Sequence, residues 1–115
     1  METGFMSDAI VVFCTCGGQE EALRIGNALV EGRWAACVNL LPAVQSIYRW
    51  QEKIERSEEI LLLIKTTEEG FPALRERILE LHSYDTPEII SVRISDGSEK
   101  YLAWIRSASK PQAFS

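Results

Sequence analysis

Residues 35–65, AACVNLLPAVQSIYRWQEKIERSEEILLLIK, decide the fold, because they read as one long β-hairpin. One arm carries Val38, Val44, Ile47, Tyr48 and Trp50, the other Ile54 and the run from Ile60 to Ile64. These are the β-branched and aromatic residues that a pleated, half-buried surface favours. The polar stretch Gln51-Glu52-Lys53 separates the arms. Over the outer half, the even positions Val44, Tyr48, Trp50 and Ile54 are apolar, whereas Gln45, Arg49, Gln51, Lys53 and Glu55 are polar. One dry face and one wet face are expected. Near the base, the unbroken run Ile60-Leu61-Leu62-Leu63-Ile64 implies cover on both faces. An arm from Ala36 to Trp50 extends roughly 45 to 50 Å at about 3.3 Å per residue, while a compact domain of this size has a radius of gyration of about 13 Å. The tip therefore leaves its own subunit. A bare apolar row on a projecting ribbon invites aggregation, so a second copy of the chain is expected to cover it, with Tyr48, Trp50 and Ile54 in the interface. Pro42 marks a bend or bulge in the first arm.

Outward from the hairpin, Ala9 to Cys14 is a wholly apolar strand, covered on both faces, that Gly17-Gly18 ends. From Gln19 to Glu31, Ala22, Ile25, Gly26, Leu29 and Val30 fall on one helical face, Glu20 and Glu21 occupy the first turn, and Gly32 supplies the stop. Beyond the hairpin, Thr66-Thr67-Glu68-Glu69 signals a helix start, Pro72 sits early in that helix, and Phe71, Leu74, Ile78 and Leu81 form its apolar stripe. His82 to Pro87 is a loop, and Glu88 to Ile94 a last strand. Asp96 with Glu99 resembles a capping box ahead of a short final helix bearing Tyr101, Leu102 and Ile105. The order β-α-β-β-α-β-α is that of a ferredoxin-like α+β fold, a split βαβ with a C-terminal helix and a long projecting β-hairpin. Its domain runs over residues 9–108, between a flexible N-terminal extension at 1–8 and a flexible tail at 109–115. Helices cover one sheet face, which leaves the other for self-association.

The 115 residues make one domain, and a net charge of −5 without a Lys/Arg run excludes nucleic acid and anionic membrane as natural partners. No apolar run approaches the roughly 20 residues of a membrane span. Three cysteines, an odd number with no CxxC pair, argue against a disulfide framework and fit a reducing compartment, so a cytoplasmic protein is expected.

Phosphate-binding, dinucleotide-binding, nucleophile-elbow and zinc-protease motifs are all absent, and the single histidine excludes a multi-His zinc site within one chain. Spacing identifies no acid/base or nucleophile/base pair, so an enzyme is not the reading. The residues left for chemistry are Cys14, Cys16, Cys37 and His82, with Tyr84, Trp50, Lys65 and the acidic pairs. Taken singly, a strand cysteine serves as a small hydrophobe, His82 as a cation at a helix C-terminus, and Lys65 as a solvated strand-end charge. Taken together, two thiols and an imidazole are the soft and borderline ligands that suit Cu(I) or Zn, if they converge.

These segments carry a resemblance. Cys14-Thr15, Ala35 to Leu40, Ile47-Tyr48-Arg49-Trp50, Lys53-Ile54-Glu55, Ile64-Lys65-Thr66, Leu81 to Ile89 and Tyr101-Leu102-Ala103-Trp104 together resemble the CutA family of divalent-cation tolerance proteins, over Ala9 to about Ser107. The resemblance implies a homotrimer, related in shape to the PII signalling proteins, with a role in tolerance of copper and other divalent metals. Two positions depart from the family pattern: Ser83 stands where proline is usual, and Glu52 where glycine is usual at the hairpin tip. If position 52 requires a positive φ, a residue with a Cβ costs on the order of 1 kcal/mol there. The leading expectation is a non-enzymatic, trimeric metal-response protein binding Cu or a similar ion through Cys14, Cys37 and His82, with no organic cofactor. The alternative is a PII-like sensor that takes a small ligand at inter-subunit clefts near Trp50, Lys65 and Tyr84.

Overall fold

The computed structural model describes residues 8–110. Strand β1 (Ala9–Cys16) leads through helix α1 (Gln19–Glu31) into the ribbon of β2 (Cys37–Trp50) and β3 (Lys53–Thr67); helix α2 (Phe71–Leu81), strand β4 (Ile90–Arg93) and helix α3 (Glu99–Ala108) follow. The four strands form one antiparallel sheet in the order β2-β3-β1-β4, the ferredoxin-like arrangement. The even residues of β1 and of inner β3 face the helices: Ile10, Val12, Cys14, Cys16, Ile60, Leu62 and Ile64 pack with Ala22, Ile25 and Leu29 of α1 and Leu74 and Ile78 of α2. Period-2 strands against period-3.6 helices thus build the main core. On the opposite face α3 covers only one end, where Leu102 and Ile105 meet Ala9 and Ala36. Ile90 and Val92 remain more than half exposed on β4.

The ribbon projects, and the molecule measures 50 × 33 × 22 Å. Its strands pair from Cys37↔Lys65 at the base to Trp50↔Lys53 at the tip, with one extra β2 residue between Leu41 and Val44. That bulge falls at Pro42-Ala43, and Ala43 has φ 63°. The expectation of one dry face needs correction. Ile54 pairs with Arg49 and Tyr48 with Glu55, so Ile54 lies on the face of Ile47, opposite Tyr48 and Trp50. The two-residue turn at Gln51-Glu52 and the period of 2 impose this, and both faces of the ribbon carry exposed apolar side chains.

Three boundaries also move. Thr66 and Thr67 finish β3 instead of starting a helix; α2 begins at Phe71 behind Gly70, whose N–H donates to Thr67 Oγ1 at 3.1 Å. β4 spans only the part of Glu88 to Ile94 that lies opposite Ile10 to Phe13 of β1. The cap of α3 is Ser98, whose hydroxyl accepts from Tyr101 N, while Asp96 accepts from the N–H of Gly97 in the preceding loop. Of the segments expected to be flexible, residues 1–7 and 111–115 lie outside the described residues. Asp8 accepts from the Glu68 N–H through its carbonyl, and Ser109 is buried at the end of α3.

Candidate metal centre and the adjoining cleft

Cys14 and Cys16 are two residues apart on β1, so both thiols emerge on the helix side of the sheet. His82 is the C-cap of α2: its N–H closes on Ile78 O at 2.8 Å, and its extended φ −79°, ψ 143° turns the chain back across the end of β1. The two sulfurs and a ring nitrogen of His82 all lie within 4.8 Å of one another, and all three residues are buried. Nε2 of His82 is 2.8 Å from the carbonyl oxygen of Thr15. A carbonyl only accepts, so Nε2 carries the proton, and Nδ1 presents its lone pair to the Tyr84 N–H at 3.1 Å. Glu21 stands beside the ring, its Oε2 3.6 Å from Nδ1, and accepts from Ser83 N at 2.7 Å.

The electrostatics of the thiols are unequal. A hydrogen bond to Cys16, reinforced by burial, pushes the Cys14 thiol far above its usual range. The same hydrogen bond pulls Cys16 below its usual range, against the opposing effect of burial. For Glu21, burial works upward, but the Ser83 N–H and neighbouring His82 and Arg24 win, and the carboxyl lies below its ordinary value.

Cys37 is not in this cluster. It pairs with Lys65, which pairs with Val11, whereas Cys14 pairs with Leu62 and Leu62 with Leu40. Cys37 is thus both displaced along the sheet and on its other face, with its Sγ 4.0 Å from Asn39 Oδ1. The three-residue set expected from the sequence is split, and Cys16 takes the place next to Cys14 and His82. The i, i+2 spacing of the two β1 thiols was the signal for this, given that β1 continues through Cys16.

Across β1, a cleft of about 970 Å³ opens between the ribbon and the loop after α2. Trp50 and Tyr84 both line it, with Thr15, Glu59, Asp85 and Glu88. Lys65 is elsewhere, at the base of the ribbon, donating to Asn39 Oδ1. Within one chain, Trp50 and Tyr84 thus share a cleft and Lys65 does not line it. Tyr84 is held at its far end: its hydroxyl donates to Glu59 Oε2 at 2.7 Å, and the other oxygen of that buried carboxylate accepts from Ser46 Oγ at 2.6 Å. Burial and the Glu59 carboxylate push the Tyr84 phenol well above its usual value, so it stays a donor. Gly17 permits this approach, since a Cβ there would stand 3.1 Å from the Tyr84 hydroxyl oxygen.

A ferredoxin-like sheet with an overlong, apolar β2–β3 ribbon and a thiol–imidazole cluster at the end of β1 defines a narrow class of small α+β proteins. The chain belongs to the CutA1 divalent ion tolerance protein family, whose model matches residues 10–108. The divalent-cation tolerance protein CutA of Thermus thermophilus is 49% identical over 96 residues, covering 84% of this chain and 93% of that one. The crystal structure of CutA from Xylella fastidiosa superposes with a TM-score of 0.88 at 44% identity, over 90% of this chain and all of that one (100%). Relatives are named as tolerance proteins, not as enzymes.

The cytoplasmic expectation is corrected by the same comparisons. A chloroplastic CutA from Arabidopsis thaliana is 37% identical over 89% of this chain, which spans 56% of it. A CutA structure from Archaeoglobus fulgidus, described as periplasmic, matches with a TM-score of 0.86 at 35% identity, over 89% of this chain and 99% of that one. Unpaired thiols and an acidic surface are compatible with several aqueous compartments, so composition carries no address. Among the described residues no helix is long and apolar enough to cross a membrane.

Proposed function

We propose that this protein serves divalent-cation tolerance as a homotrimer that takes up a thiophilic ion, copper foremost, on Cys14, Cys16 and His82. The observation that carries the reading is the gathering of two thiols and one imidazole within 4.8 Å in a buried site. Soft thiolates and a borderline imidazole favour Cu(I) and Zn over Mg or Ca, which take oxygen ligands. Bonds of about 2.0 to 2.3 Å bring such donors roughly 3.5 Å apart, so the cluster contracts slightly around an ion and leaves a tetrahedral position open. Uptake releases thiol protons and weakens in acid.

Assembly is supported by the ribbon, where Ile47 is 66% exposed, Ile54 58% and Trp50 51%. Such side chains on an arm that outruns its domain call for cover from another copy. The metal reading is tested by Cu(I) competition against a chelator, using the unmodified protein, Cys14→Ser, Cys16→Ser, His82→Ala and Cys37→Ser. The first three substitutions weaken binding and Cys37→Ser leaves it unchanged; equal affinity throughout refutes the site. Assembly is tested by sedimentation. The exposed half of Trp50, roughly 120 Å² at about 25 cal/mol per Å², contributes about 3 kcal/mol, so Trp50→Ala shifts the protein towards monomer. An unmodified protein that sediments as a monomer at micromolar concentration refutes it.

A further inference from the structure

Both ring nitrogens of His82 are engaged by residues that also line the cleft. Nε2–H donates to Thr15 O at 2.8 Å, and Nδ1 accepts from Tyr84 N at 3.1 Å. Thr15 and Tyr84 are both part of the cleft wall. A metal ion binds a nitrogen lone pair, and an imidazole nitrogen has one. An ion on Nδ1 therefore displaces the Tyr84 N–H. An ion on Nε2 requires the other tautomer, with the proton on Nδ1, which removes both the donor from Thr15 O and the acceptor from the Tyr84 N–H. Either route breaks the bond from the Tyr84 N–H to the imidazole.

The consequence travels further along Tyr84. Its ring lies against the His82 ring, centroids 4.7 Å apart, and its hydroxyl donates to the buried Glu59 carboxylate, which also accepts from Ser46 of the ribbon. His82, Tyr84, Glu59 and Ser46 thus form one connected series from the thiols to β2. We infer that the thiol–imidazole cluster and the cleft are coupled: uptake of a thiophilic ion releases the segment from Tyr84 to Glu88, and whatever holds that segment in place weakens uptake. This rests on the metal site proposed above. Two sites, two states and the contacts that differ between them are all defined, and linkage makes the effect reciprocal.

The test uses Cd(II) as probe on the full chain, because its thiolate charge-transfer absorption reports occupancy of the sulfurs independently of any change in the cleft. Amide hydrogen exchange across Ser83 to Glu88 is followed in the same titration. Exchange of these amides accelerates in step with the thiolate band. In the reverse direction, Tyr84→Phe removes the bond to Glu59, loosens the segment and tightens Cd(II) binding about fivefold, the usual net effect of one hydrogen bond. Cys37→Ser, outside the cluster, changes neither quantity. A thiolate band that saturates while exchange at Ser83 to Glu88 and the Tyr84→Phe affinity stay unchanged overturns the coupling and leaves the metal site standing. Absence of a thiolate band overturns both.

Discussion

Replacing Glu52 by glycine should stabilise this protein, and the size of the gain follows from two backbone angles. At the tip of the ribbon Trp50 pairs with Lys53, so Gln51 and Glu52 are the only turn residues, with φ 51° and φ 67°. Two successive positive φ values define the turn type whose twist matches the flanking strands, and glycine or asparagine is its natural occupant. An L-residue in the left-handed region costs about 1 to 2 kcal/mol. Glycine removes that strain but loses about 0.5 to 1 kcal/mol more backbone entropy on folding. The side chain of Glu52 is exposed, so no packing is lost. At the middle of both ranges the net gain is about 0.5 to 1 kcal/mol per chain. With an unfolding entropy of about 2.1 cal/mol/K per residue over a chain of this length, the midpoint rises by about 2 to 4 °C. The assay is reversible thermal unfolding at one fixed protein concentration, because the proposed assembly would make the midpoint concentration-dependent. Lys53→Gly, one residue later in the paired strand, serves as contrast and should destabilise by about 0.5 to 1 kcal/mol. A midpoint for Glu52→Gly that is unchanged or lowered refutes the reasoning.

Leu62 is fully buried between β1, β2 and the helices, so Leu62→Ala should cost about 2 to 5 kcal/mol, read as a lower urea midpoint with an unchanged slope. Stability should also fall in acid through Glu21. Its carboxyl is depressed in the fold below its usual value of 4.5, so its contribution is complete above that pH and is lost as pH drops through the lower folded value. Glu21→Gln should therefore flatten the acid limb of the stability curve, and an unaltered limb would remove Glu21 from the account.

The fold was legible wherever periodicity and length spoke together. The apolar run at Ala9 to Cys14, the helical spacing of Ala22, Ile25 and Leu29, and the two arms around Gln51-Glu52 fix the strand and helix order almost alone. What was not legible depended on counting residues exactly. A two-residue turn puts Ile54 across from Arg49 and so on the opposite face from Trp50, a parity that cannot be read until the turn length is known. The same limit split the candidate site. Cys14 and Cys37 look equivalent as strand cysteines, but strand pairing sends one to the helices and the other to the far side of the sheet. The end of α2 just before His82 was legible from its apolar stripe, but that this end lies beside the thiols of β1 is a tertiary fact with no local signature. The cap of α3 shows the local version of the problem: Asp96 and Ser98 are both good capping residues, and Leu102 packing against Ala9 and Ala36 selects the later one.

The single extra residue at Pro42-Ala43 divides the ribbon into two halves that answer to different surroundings. On the inner half Val38 and Leu40 point at the helices, whereas beyond the bulge the odd residues of β2 share the side of even β3 residues such as Ile54. Because the turn at Gln51-Glu52 and the unbroken β3 fix the outer pairing, loss of one residue at 42 or 43 would leave Tyr48 opposite Glu55 and Trp50 opposite Lys53, and would remove only the kink and the extra twist that a bulge imposes. The direction in which the outer half leaves the sheet is thus set by two exposed residues that belong to no core. One deletion would re-aim the whole arm while every buried residue and every cross-strand pair stayed the same.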